Sequence, residues 1–406
     1  MMNISEFKYL ESSGELLVDL GLQPVSNRFL SVDDLTEVPR FPLQLRLCPD
    51  TGLVHQGKLF PVEELKPRYD WLTCFEPEDH LDGLVETLIT LPGVTRESVF
   101  GAYSFKDDST LRRLKDRGYD KSWRIDPEQD LGITDACANV ETYQSVFTQV
   151  KAEQIRERCG AADVLIVRHV VEHAYNLPEF IQAIRHLISP GGYVVWEFPD
   201  CERALAAGDC TTIWEEHVFY FTSFTFKQLL HASDFTIVHY ESVPYLLENS
   251  IVAIVQESPV DAVVASPDPP AVANEVARAR GFAEALAHRR VEIRKRLEII
   301  RRERGPIALF GAGHLSVAFL SLMGVTDLIS YVLDDNSNKK GMRMPVGGLE
   351  IVDSEALYTG RITTCLLSLN PQNQPKVLAK HQRFNEQGGI FASIFPGGDL
   401  DIERVL

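Results

Sequence analysis

The chain has 406 residues, with 40 Lys plus Arg against 58 Asp plus Glu and a formal net charge of −18 at pH 7. At about 100–200 residues per domain it holds two to four domains, and 45% hydrophobic with 24% charged residues excludes the disordered and fibrous classes. So negative a charge repels phosphate backbones and anionic lipid, which sets aside nucleic-acid and membrane-surface partners.

Residues 1–95 carry short alternating apolar segments broken by turn residues, as in the run from Glu15 to Gly21 and the run from Phe41 to Gly52, and this pattern predicts a small β-rich lobe. From residue 96 to 257 apolar runs near Val99, Trp123, Val164 and Val194 alternate with amphipathic stretches. That alternation predicts an α/β domain with a central, doubly wound, mostly parallel Rossmann-like sheet. Residues 258–271 hold four prolines in fourteen positions, and proline fixes φ and removes a donor, so a linker is expected. The proline-free, Ala-, Glu-, Arg- and Leu-rich stretch from about Val272 to Arg304 predicts one long helix. Residues 258–304 thus join the central domain to residues 305–406, where Pro306 to His314 reads as a strand entering a glycine turn and Ser330 to Asp335 as a second strand. A second, Rossmann-like α/β domain closes the chain.

No run approaches the roughly 18 apolar residues of a membrane helix, and no basic segment leads an apolar one near Met1, so a cytoplasmic protein is expected. The seven cysteines (Cys48, Cys74, Cys137, Cys159, Cys201, Cys210 and Cys365) are scattered and form no C-x-x-C pair. They predict reduced, structural thiols, with no metal site. Nothing in the sequence sets the oligomeric state.

Ligands of doubly wound sheets lie at the carboxyl ends of the strands. Asp126 ends the strand Trp123 to Ile125, where a carboxylate is placed to accept ribose hydroxyls, although Asp126 before Pro127 also suits a plain turn. The segment Arg168-His169-Val-Val-Glu-His173, followed after a helix by Ser189-Pro-Gly-Gly-Tyr-Val-Val-Trp-Glu-Phe-Pro-Asp200, resembles the late motifs of class I S-adenosylmethionine-dependent methyltransferases. Leu20 to Leu30, Phe41 to Cys48, Trp214 to Thr222 and Leu309 to His314 resemble three-domain sugar C-methyltransferases, so that the likeness spans nearly the whole chain.

The resemblance implies a zinc lobe, a methyltransferase domain and a C-terminal α/β domain that together bind a nucleotide-linked keto sugar. It implies S-adenosylmethionine as cofactor and S-adenosylhomocysteine as product, with Gly101, Asp107, Asp126, Arg168 and His169 at the cofactor. His217 falls where the family has its base, Glu216 where a sugar hydroxyl or the imidazole is oriented, and His173 and Tyr69 where substrate is positioned.

The chain departs from that family in three places. Only Cys48 remains of four lobe cysteines, and one thiolate does not hold a structural Zn²⁺, so no zinc is expected. The family's acid-x-glycine-x-x-x-glycine cofactor turn becomes Tyr103, Phe105 and Ser109. Trp214 replaces a tyrosine, and an indole N–H donates but does not exchange a proton. These losses leave a catalytically silent or repurposed binding or scaffold homologue as the alternative to C-methylation through an enolate. The Gly311-Ala-Gly-His turn, with Asp334 about twenty residues on, mimics a dinucleotide site but has Ser316 at the third glycine.

Overall fold

The computed structural model describes residues 14–72, 76–259 and 268–405. Three sheets correspond to the three textures of the sequence. The first is antiparallel and starts with β1 (Glu15–Pro24), β2 (Arg40–Leu47) and β3 (Val54–Gln56). Alternation sets its register: Leu43, Leu45 and Leu47 of β2 are buried while their neighbours face outward, as expected of a strand with one wet face.

The second sheet contains β4 (Phe100–Ala102), β5 (Ser122–Arg124), β6 (Ala162–Arg168) and β7 (Ile188–Asp200) as parallel neighbours in the order β5-β4-β6-β7. Helices α1 (Asp108–Asp116), α2 (Val140–Val146) and α3 (Leu177–His186) lie in its crossovers. Continuous burial from Val194 to Phe198 reflects a strand covered on both faces. The short β8 (Phe219–Tyr220) leaves this domain and pairs with β3, matching Val54 with Tyr220. Strands β9 (Phe235–Val243) and β10 (Asn249–Glu257) then add antiparallel to β7, giving the order β9-β10-β7-β6-β4-β5.

The long helix α4 (Pro269–Arg304) begins in the expected proline stretch because proline is tolerated in a helix's first turn. Its buried stripe of Ala279, Phe282, Leu286, Ile293, Leu297 and Ile300 joins the first sheet and the C-terminal domain into one core with Leu45, Tyr220, Ile307 and Leu309. The third sheet is parallel, built from β11 (Ile307–Phe310), β12 (Ile329–Leu333), β13 (Ile351–Val352), β14 (Thr364–Leu367) and β15 (Ile390–Ser393) in the order β13-β12-β11-β14-β15. Helix α5 (His314–Leu322) follows β11. No helix among the described residues is long and apolar enough to cross a membrane.

Candidate active site

The carboxyl ends of β4 and β6, the segment between β7 and β8, and the N-terminus of α5 surround one cavity of about 960 Å³. One wall is formed by the stretch Trp214 to Val218, from which Trp214 and Glu216 line the cavity, and the β-lobe fixes this stretch through its backbone. Gln56 donates its side-chain amide to the carbonyls of Trp214, Glu215 and His217 at 3.2, 2.8 and 2.7 Å, and its N–H to Val218 O. Glu215 does not itself line the cavity and accepts from the N–H and hydroxyl of Ser26, which does. The lobe therefore positions this wall with polar contacts; Cys48, the one cysteine in residues 14–65, does not supply the donor set of a structural zinc site.

Trp214 stacks on His314 of α5, centroids 3.5 Å apart and 13° from parallel, and lies 5.6 Å from His217 at 14°. His217 meets His173 edge to face at 4.8 Å. Trp214, Glu216 and His173 line the cavity, and His217 stands behind them, 8% exposed. Burial, then the neighbouring His173 and His314, pushes the His217 pKa well below the ordinary imidazole value, so its ring is neutral. Burial, then Glu141 and Glu215, pushes Glu216 well above the ordinary carboxylate value. For His173, burial opposes charge, but the Glu141 carboxylate 2.6 Å from Nδ1 overcomes it and raises the pKa.

The cofactor end is built without glycines. Asp107, fully buried, accepts from the N–H groups of Tyr103, Ser104 and Arg168, while Ser104 caps Lys106, so the turn is closed on itself. Burial raises Asp107 to about 7 against those donors. Arg168 donates to Lys106 O and is held by Glu197, with Nε–Oε2 at 2.6 Å and Nη2–Oε1 at 3.2 Å. Glu197 also reaches His169 and His80, each at 3.2 Å. His169 sits at φ 51, a left-handed conformation that a non-glycine residue adopts only when its surroundings hold it.

Of the residues singled out in the sequence, the structure gathers His173, Glu216, His217, Arg168 and His169. Four others stand elsewhere. Gly101 is glycine because a Cβ would lie 2.7 Å from the Trp123 ring and 2.9 Å from Ala162 Cβ, so packing and not a ligand requires it. Asp107 is spent on the turn, beneath the cavity surface. Asp126 is exposed, accepts from Glu128 and Gln129 N–H, and does not line the cavity; it is the turn former of the plainer reading. Tyr69 stacks on Trp71 at 5.1 Å and packs against the lobe core, outside the cavity; its neighbours Thr73 to Phe75 lie outside the described residues. The sequence reading missed Glu141 and Glu172. Glu141 carries no local motif and is 32 positions from its partner His173, whereas Glu172 is adjacent to His173 just past the end of β6.

The cavity suits the sulfonium cofactor that the fold implies. The Phe105 ring, 45% exposed, lines this end of the cavity, and the wall continues past it along Asp108, Ser109, Arg112 and Asn139. Lys106, paired with Glu76 at 2.6 Å, lines this end together with Arg112 and Glu141, so both signs of charge face the cavity.

Residues 106–240 match the methyltransferase domain family, residues 255–396 the C-methyltransferase C-terminal domain family, and residues 11–65 a zinc binding domain family. The C-methyltransferase NovU of Streptomyces niveus is 23% identical over 395 residues, covering 94% of this chain and 92% of that protein. Among solved structures, a 1,6-didemethyltoxoflavin-N1-methyltransferase of Burkholderia thailandensis with bound S-adenosylhomocysteine matches 45% of this chain and 78% of that chain at 11% identity and a TM-score of 0.29. A SAM-dependent methyltransferase of Anabaena variabilis matches 44% and 85% at 10% identity and a TM-score of 0.29.

Proposed function

Because the chain is an S-adenosylmethionine-dependent methyltransferase carrying the C-methyltransferase domains in order, we propose that it methylates a carbon beside the ketone of a nucleotide-linked keto sugar. The observation that carries this reading is the neutral His217 fixed between Trp214 and His173, behind a cavity that residues of the lobe, the central domain and the C-terminal domain line together. Methylation at such a carbon begins with loss of its acidic proton, which needs a base with a free lone pair. His217 takes that proton on a ring nitrogen. The two flanking rings and the backbone bond from Gln56 hold the imidazole in place, so little reorganisation precedes the transfer.

Glu216 faces the cavity and hydrogen-bonds a sugar oxygen. Across the cavity, Gly311 to Gly313 lead into the N-terminus of α5, whose partial positive charge suits the phosphates of a nucleotide sugar. Lys106, Arg112 and Glu141 hold S-adenosylmethionine, with Arg168 and His169 as positioning residues beneath them. That cofactor supplies an electrophilic methyl group.

The test is exchange of the α-proton of a nucleotide-linked keto sugar with deuterated solvent, followed by NMR in the absence of cofactor. The wild-type chain catalyses the exchange and His217→Ala loses it by about 10²–10⁴-fold, the range of a general base. Equal exchange by both proteins removes His217 from the mechanism.

A further inference from the structure

We propose that Glu172, His173 and His217 form a binding site for one divalent transition-metal ion of the Zn²⁺ and Co²⁺ type. Among the described residues this is the one group of three or more His, Cys, Asp or Glu side chains whose donor atoms converge, all within 4.8 Å of one another. All three residues are buried, at 2%, 4% and 8% exposure.

A second observation points to a ligand. Both carboxylate oxygens of Glu172 lie out of water without a hydrogen-bond partner. The nearest imidazole nitrogens are His173 Nε2 at 3.7 Å and His169 Nδ1 at 3.8 Å, both beyond hydrogen-bond range. A buried carboxylate left unsatisfied is costly, and metal coordination is one of the few ways to relieve it.

The surroundings of His173 are those of a metal ligand. Its Nδ1 is hydrogen-bonded to the Glu216 carbonyl oxygen at 3.1 Å, with a Glu141 carboxylate oxygen 2.6 Å from the same nitrogen, so the proton sits on Nδ1 and Nε2 is left free to coordinate. His217 adds a second imidazole, and no hydrogen bond is made to its ring among the described residues. Two imidazoles and one carboxylate suit borderline divalent ions such as Zn²⁺, at bonds of about 2.0–2.2 Å. Donors on such an ion stand closer together than 4.8 Å, a closure that side-chain rotation supplies. Three protein ligands leave a coordination position open, and His173 itself lines the cavity.

One consequence rests on the proposed function. An ion bound to His217 occupies the lone pair that accepts the proton, so the metal-loaded chain is the inactive form.

The test uses the full chain, stripped with a chelator and titrated with Zn²⁺ by calorimetry and with Co²⁺ by visible absorption. One equivalent is expected to bind with a Co²⁺ ligand-field band. Glu172→Gln is expected to weaken binding at least 10-fold and abolish the band, and Glu141→Gln to weaken it by about 10–100-fold as an outer-shell change. Circular dichroism and melting identify any variant that fails to fold, and the Glu141 variant keeps the test decisive if Glu172→Gln is one of these. No saturable binding, or the same affinity in a folded Glu172→Gln or Glu141→Gln chain, overturns the site. Stoichiometric binding that leaves turnover unchanged overturns the base role of His217 instead, so the two failures are distinguishable.

Discussion

Replacing Glu197 tests whether the glycine-free cofactor turn is held by buried charge. Glu197 is fully buried and Arg168 is 1% exposed. Arg168 carries the Lys106 carbonyl and lies within 3.4 Å of the Ser109 hydroxyl, so the ion pair anchors the turn from below. Glu197→Gln keeps the shape but removes the counter-charge bonded to the guanidinium, leaving only the more distant Asp107 and Glu78, and breaking a buried pair in this way costs about 3–5 kcal/mol. Replacing both partners by apolar residues of similar size, Arg168→Met with Glu197→Met, removes the uncompensated charge and is expected to recover much of that loss. Three domains make a single two-state fit unsafe, so calorimetric scans are read at the transition that S-adenosylmethionine shifts. The expected pattern is a large drop in that transition for Glu197→Gln, partial recovery in the double variant, and weakened cofactor binding in both. A loss below about 1 kcal/mol, or a double variant worse than the sum of the single ones, refutes the anchoring role.

Gly101→Ala is expected to cost about 1–3 kcal/mol through overpacking against Trp123, and a second change, Trp123→Leu, is expected to restore stability; thermal melts decide, and a neutral Gly101→Ala contradicts the packing explanation. Phe105→Ala removes a half-exposed ring from the cofactor end, so calorimetry is expected to show S-adenosylmethionine binding tightened at least twofold with little change in melting, and weaker binding contradicts this. Glu76 is held ionised against burial by His169 and Lys106, its pKa lowered from 4.5 to about 2. Between those values the unfolded chain binds more protons, so Glu76 contributes stability that is complete above about pH 4.5 and lost as pH falls toward 2. Acid titration of Glu76→Gln should show a smaller stability loss across that window than wild type, and identical profiles sink the assignment.

The parts of this fold that a sequence reveals are those written in local periodicity. The lobe strands follow the alternation of Leu43, Leu45 and Leu47, and α4 follows its proline-flanked helical composition. The pairing of β8 with β3 has no local signature, because Phe219 and Tyr220 are apolar residues whose partner strand lies about 165 positions away. The candidate site was partly legible for the same reason. His173, Glu216 and His217 fall in contiguous motifs at strand ends, where ligands of such sheets gather. Gly101 and Asp126 also occupy motif-like positions, yet side-chain packing in one case and a local turn in the other account for them. Glu141 and Gln56 act across the fold, through a carboxylate on an imidazole and an amide on three carbonyls, and spacing along the chain carries no trace of either.

The central claim is transfer of a methyl group to carbon with His217 as the base. It is tested most directly by incubating the chain with S-adenosylmethionine labelled in its methyl group and a set of nucleotide-linked keto sugars, and following the label by mass spectrometry and NMR. The expected result is one labelled methyl on a carbon beside the ketone, formed by wild type and not by His217→Ala, with cofactor affinity alike in the two proteins. Label on oxygen or nitrogen, or equal product from both proteins, contradicts the account.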